Sequence, residues 1–342
     1  MSEEVLDEVY SELKDRGPEF AGWLSNHGPM AADAMIRMGW GERALPWAQR
    51  YRERLEAAPG ARWPFEEGEW REFLGDPSRL GDWLEFFRRL LADEPWQDVL
   101  VRWWARLLPG AVASATHGMI RTGHAVRAVS ERETDARVAE LGQALGYWAA
   151  RWREAPRHSA PRGTTSFGVA MGQLAPAGVL GGFRTRLAAL EQLPRWGRTV
   201  ERAAGAVGAE GVEETLRTIV DEAVRRYLAW APANPVMLVH AATAPRAAAL
   251  ALPALPTPLW EPTLTHAWGA SAAVIAAYRP AGRGIIGHRG ELEPQEVAER
   301  AVANGDEHVL KFVEVAIEAH ERGVSEALPA ALRAVELIPP RW

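Results

Sequence analysis

Apolar residues recur three and four positions apart along almost the whole chain, and that spacing is the signature of amphipathic helix rather than strand. It predicts helices over 5–13, 45–57, 80–91, 96–108, 111–129, 133–154, 183–193, 213–230, 236–252, 264–278, 307–321 and 325–337. Pro29 opens a further helix through Ala31, Ala34, Met35 and Met38, closed by Gly39, and Pro294 opens another. No run of alternating strand pattern, no repeat and no low-complexity tract interrupts this. The expectation is an all-α fold: one large single-domain helical bundle over 1–342. A Gly/Pro-rich segment at about 155–185 breaks it, and reads either as a lid or substrate loop or as an ordinary surface excursion.

Composition narrows the function. The formal net charge is −6 and the pI about 5.9, which speaks against a nucleic-acid partner. The acidic start Met1-Ser2-Glu3-Glu4 has no signal-peptide pattern. The most apolar stretch, 235–256, is broken by His240, Arg246 and several prolines, so no membrane span is expected and a cytoplasmic protein is. With no cysteine, disulfides and thiolate metal sites are excluded. Lysine occurs only at Lys14 and Lys311, so 37 of the 39 cationic side chains are arginine. A lysine kept in such a chain suggests a task arginine cannot perform, because a buried lysine can lose its proton.

Nine histidines are present, and five lie in or at the mouth of apolar helical stretches: His27, His117, His124, His240 and His308. Any one alone reads as a hydrogen-bonded core residue. Several on separate helices, with Lys311 beside one, suggest a buried metal site between helices. His308 and Lys311 are three apart and share a helix face, so both can reach one ion. His117 and His124 are seven apart, about 10.5 Å along a helix axis, too far to share one metal at bonds of about 2.0–2.1 Å. Arg121 lies one turn from His117, as a substrate-facing or supporting cation. Buried beside a metal, Lys311 would have a lowered pKa, and its neutral amine could take up carbon dioxide to give a carbamate ligand. The plainer alternative pairs Lys311 with Glu307 or Glu314 on a helix surface. The segment Gly282-Arg283-Gly284-Ile285-Ile286-Gly287 fits a dinucleotide fingerprint literally, but no helix opens directly after it. Trp47, Trp103 and Trp104 read as core.

These residues also carry a resemblance. Ser25-Asn26-His27-Gly28-Pro29-Met30-Ala31-Ala32, His117-Gly118-Met119-Ile120-Arg121-Thr122-Gly123-His124, Leu238-Val239-His240-Ala241-Ala242-Thr243 and Asp306-Glu307-His308-Val309-Leu310-Lys311 resemble, in order, the histidine blocks of the questin oxidase-like family. The resemblance implies an oxygen-dependent oxidoreductase that opens a ring of a polycyclic aromatic or quinone-type substrate, with NADPH involved in some members. It further implies non-haem iron (Fe2+) held by His27, His117, His240, His308 and a carboxylated Lys311. His124 and Arg121 would then handle protons or orient the small aromatic substrate, with dioxygen as co-substrate. Zinc or another divalent metal at the same site would suit a hydrolase instead. A non-catalytic helical binding protein with structural histidines is the third possibility. The sequence leaves the oligomeric state open.

Overall fold

The computed structural model describes residues 2–280 and 292–342. The Gly282–Gly287 stretch and His288 lie outside them. The fold is all-α. The one strand pair among the described residues is a short hairpin, Glu19–Phe20 against Leu24–Ser25. The chain divides into two compact units. One comprises Met1–Glu154 with Leu250–Pro256, the other Ala155–Ala249 with Thr257–Trp342.

In the first unit, Gly28–Arg37 packs on Gly41–Arg52 and on His117–Glu131, and Asp135–Ala150 packs on both Leu80–Asp93 and His117–Glu131. Phe65, Trp83, Phe86, Phe87 and Trp103 form a buried aromatic cluster in it, through edge-to-face and stacked contacts. Trp103 and Trp104 are fully buried and Trp47 nearly so, as core residues. Gly118 is needed for the approach of the last two helices: a Cβ there would lie 2.7 Å from the Trp148 ring. The helix expected over 111–129 begins only at His117. Ser114, Ala115 and Thr116 all have left-handed φ values, +48°, +55° and +75°, which no helix accommodates.

In the second unit, Glu210–Trp230 packs against Trp260–Tyr278, Glu307–Glu321 and Ala327–Leu337. The Gly/Pro-rich segment is better anchored than its composition suggests. It contains a short helix, Phe167–Gln173, and backbone bridges tie Gly163 to Ala204 and Thr165 to Ala203. The Arg279 guanidinium gathers the carbonyls of Met171, Gly172 and Leu174 at the end of that helix, where a cation also meets the negative end of the helix dipole.

The helix expected over 236–252 is split into Pro235–Leu238 and His240–Ala251. By length and composition Pro235–Ala254 could cross a membrane, but 67% of it is buried, as befits a core helix. Pro245 lies inside it. Having no N–H, Pro245 cannot satisfy the carbonyl four residues earlier, and the Ser271 hydroxyl donates to that Ala241 oxygen instead, at 2.7 Å. Ser271→Ala should therefore cost about 1–3 kcal/mol by orphaning a buried carbonyl. In a Pro245→Ala background, where the backbone N–H returns, the same change should cost clearly less. Urea unfolding of the four proteins measures this coupling, and additive effects would show that the serine does not substitute for the missing donor.

Candidate metal centre

In the first unit, His27 caps the N-terminus of Gly28–Arg37, with Pro29 in the first turn. Its backbone N–H donates to the Tyr51 hydroxyl (3.1 Å). The Asn26 side chain pins the same turn, donating to the Gly17 carbonyl and accepting from Gly28 N. The His27 Nδ1 lies 2.5 Å from the Ser25 carbonyl oxygen. His117 opens its helix immediately after the left-handed run, and its Nδ1 lies 2.5 Å from the Ser114 carbonyl. A carbonyl can only accept, so each Nδ1 must carry the hydrogen. In neutral rings each Nε2 then offers a lone pair. Those two Nε2 atoms face one another at 2.7 Å, with both rings buried. Two acceptors at that separation repel unless a cation, either a proton or a metal ion, lies with them.

The second unit repeats the pattern. His240 is fully buried, and its Nδ1 donates to the Met237 carbonyl at 3.1 Å. The side chain of His308, 11% exposed, has its Nδ1 3.2 Å from Asp306 Oδ1. Asp306 also caps the Glu307–Glu321 helix by accepting from His308 N, and Arg341 holds both Asp306 and Glu307. The His240 and His308 ring centroids are 5.5 Å apart. Ligand atoms of Asp306, Glu307 and His308 lie within 4.8 Å of one another. One turn on, Lys311 is buried and its Nζ has no hydrogen-bond partner among the described residues. Burial pulls its pKa down to about 8, although Glu307 and Asp306 pull the other way. The helix-surface pairing weighed for Lys311 does not occur, since a 1% exposed side chain is not on a surface.

All four of these histidines thus donate Nδ1–H to a carbonyl or carboxylate and turn Nε2 outward from that bond, the arrangement that orients imidazoles for metals. The chain therefore contains buried, histidine-rich groups that could hold a metal ion. His158 differs: both of its nitrogens lie against carbonyls, of Pro156 and Thr265. Burial, and then His158, holds its neighbour His266 at a pKa of about 4.

The Nδ1 of His124 lies 2.8 Å from Asp33 Oδ2. Burial alone would raise the Asp33 pKa. Arg127, His124 and Arg37 outweigh that and hold the carboxyl well below the usual range. Arg121 is buried and forks onto Glu140 at 2.6 and 2.7 Å, with Gln143 also in reach. Its Nη1 has no hydrogen-bond partner among the described residues, which leaves one N–H edge for a ligand. Sequence reasoning missed the residues that orient the rings. Asp306 was detectable as an acidic N-cap just before an apolar run. Ser114 was not, because nothing in Ser114-Ala115-Thr116 signals left-handed backbone.

No protein-family model matches the chain, and no curated protein matches it.

Asp33→Asn should lower stability at pH 7 by about 3 kcal/mol, the low end for breaking a buried pair, since Arg127 keeps some solvent access. The folded carboxyl titrates below its unfolded value of about 3.9. Its contribution is therefore complete above that value and is lost as pH falls toward the depressed folded one. Urea unfolding from pH 7 down to 3 should show the gap between the two proteins constant at first and then narrowing below about pH 4. A gap that widens toward acid would contradict the assignment.

Proposed function

We propose that the chain is a metal-dependent oxidoreductase, an oxygenase that opens a ring of a polycyclic aromatic or quinone-type substrate. The ligands are His27, His117, His240, His308 and Lys311. The observation carrying this reading is the common orientation of the four imidazoles, above all the two Nε2 lone pairs of His27 and His117 facing at 2.7 Å. What joins the ligands into one set is the resemblance to the questin oxidase-like family, in which such histidines and a carboxylated lysine serve a single iron.

The donor set suits the group. Neutral imidazoles bind iron, zinc, copper and nickel. A buried amine with no hydrogen-bond partner among the described residues suits conversion to a carbamate, whose oxygens would be satisfied by a cation. Iron, when bound, supplies the redox chemistry through which dioxygen reacts with an aromatic substrate. The protein's own part is positioning and proton handling. Ser25, Ser114, Met237 and Asp306 fix the four rings. His124, its Nδ1 held by Asp33, is the group suited to accept or release a proton at Nε2. Arg121, held on Glu140, offers its remaining N–H edge to a polar substrate atom. NADPH as reductant belongs to this reading through the resemblance alone.

Elemental analysis of untagged protein should find about one iron per chain, reduced at least tenfold in Lys311→Ala and in His308→Ala. Oxygen uptake with anthraquinone-type substrates should be lost in both variants. Zinc in place of iron would favour a hydrolase built on the same ligands. Absence of any metal from wild type, with His308→Ala unaltered in every assay, would return the histidines to a structural role.

A further inference from the structure

Lys311 stands four residues after Glu307 on one helix, the spacing and order at which a glutamate and a lysine pair most favourably. Both residues are buried, at 1% and 2% exposure respectively, where water competes little for either charge. Yet Lys311 Nζ has no hydrogen-bond partner among the described residues. Arg341 engages the Glu307 carboxylate instead, with Nε 2.9 Å from Oε2 and Nη2 2.5 Å from Oε1. The same Nη2 lies 2.8 Å from Asp306 Oδ2. A guanidinium meets a carboxylate with two parallel N–H bonds, a match that a lysine ammonium cannot make.

The backbone brings Arg341 to this place. Pro339 and Pro340 come soon after the helix Ala327–Leu337, and a residue before proline is driven out of helical geometry. Ile338 is extended accordingly, at φ −96° and ψ 118°. Buried Asn304 then fastens the segment that leaves the helix. Its Nδ2 donates to the Ile338 carbonyl at 3.0 Å, its own carbonyl accepts from Arg341 N at 2.9 Å, and its Oδ1 accepts from Asp306 N at 3.1 Å. One residue thus joins the segment carrying Arg341 to the start of the helix carrying Glu307 and Lys311. We infer that Arg341 is a positioning residue: by taking both oxygens of Glu307 it withholds that carboxylate from Lys311 and leaves the buried amine unpaired, available to a metal ion.

The inference rests on the reading of Lys311 as a ligand, and its test reads the lysine separately from the metal. Lysine occurs only at positions 14 and 311, so full-length protein carrying ¹⁵N-lysine has two side-chain nitrogens to observe by NMR, assigned by Lys14→Arg. In metal-stripped Arg341→Gln, the Lys311 signal should become that of a hydrogen-bonded ammonium. It should return to its wild-type state when Glu307→Gln is added. Cobalt(II) affinity should fall about tenfold in Arg341→Gln, as for loss of an outer partner of a metal site, and the added Glu307→Gln should recover most of that loss. A brace that merely held the fold together would not be repaired by removing its partner. Should Arg341→Gln fail to fold, Arg341→Lys, which keeps the charge without the fork, should move both readouts the same way by less. If wild type binds no cobalt, the ligand reading fails and the lysine signal alone judges the inference. A folded Arg341 variant whose Lys311 signal matches wild type, or whose altered signal persists after Glu307→Gln, overturns it.

Discussion

Two imidazole nitrogens, each already committed to lone-pair duty, are held 2.7 Å apart inside the protein. That contact is unfavourable by itself, and the first unit is organised to maintain it. Each Nδ1–H is fixed by a serine carbonyl, so neither ring can relieve the repulsion by changing tautomer without losing a hydrogen bond in a buried place. A cation is the simplest partner for two such lone pairs. A metal ion bound there, as proposed, would be drawn by the electrostatics of the two nitrogens as much as by the identity of the ligands.

The surrounding fold is arranged around that demand. Pro29 and the Asn26 side chain set the helix start that presents His27. The left-handed turn at 114–116 delays the next helix so that His117 stands at its first position, and Gly118 lets that helix approach Trp148. In the second unit, a cap aspartate orients His308 and a backbone carbonyl orients His240. The serine that satisfies Ala241 beside Pro245 preserves the helix that His240 begins. Lys311 differs from all of these in being buried with no hydrogen-bond partner among the described residues, an expensive state for an amine unless something joins it there.

Much of this was legible from residue spacing. Helical periodicity predicted nearly every helix, because the apolar faces that define the period are the faces that become buried. The five histidines in apolar stretches, and Lys311 among the arginines, marked residues that are in fact buried or nearly so. What was not legible depends on backbone states and long-range partners. No glycine or asparagine marks 114–116, so the missing first turns of that helix were invisible. The break at Val239 has no local breaker beside it, since Pro245 lies further on. Asp33, Glu140 and Tyr147 act across 91, 19 and 122 residues of sequence, on His124, Arg121 and Ser25 respectively. Periodicity carries no information about such pairs. In the Gly/Pro-rich segment, composition alone could not show that Gly163 lets its backbone approach Arg202.

The most direct test of the central claim is anomalous diffraction at the iron edge from crystals of untagged protein grown without added metal. The account predicts a peak within bonding distance, about 2.0–2.1 Å by analogy with other metal–imidazole bonds, of the Nε2 atoms of both His27 and His117. Density with no peak there at any metal edge, and a proton shared between the two nitrogens instead, would contradict it.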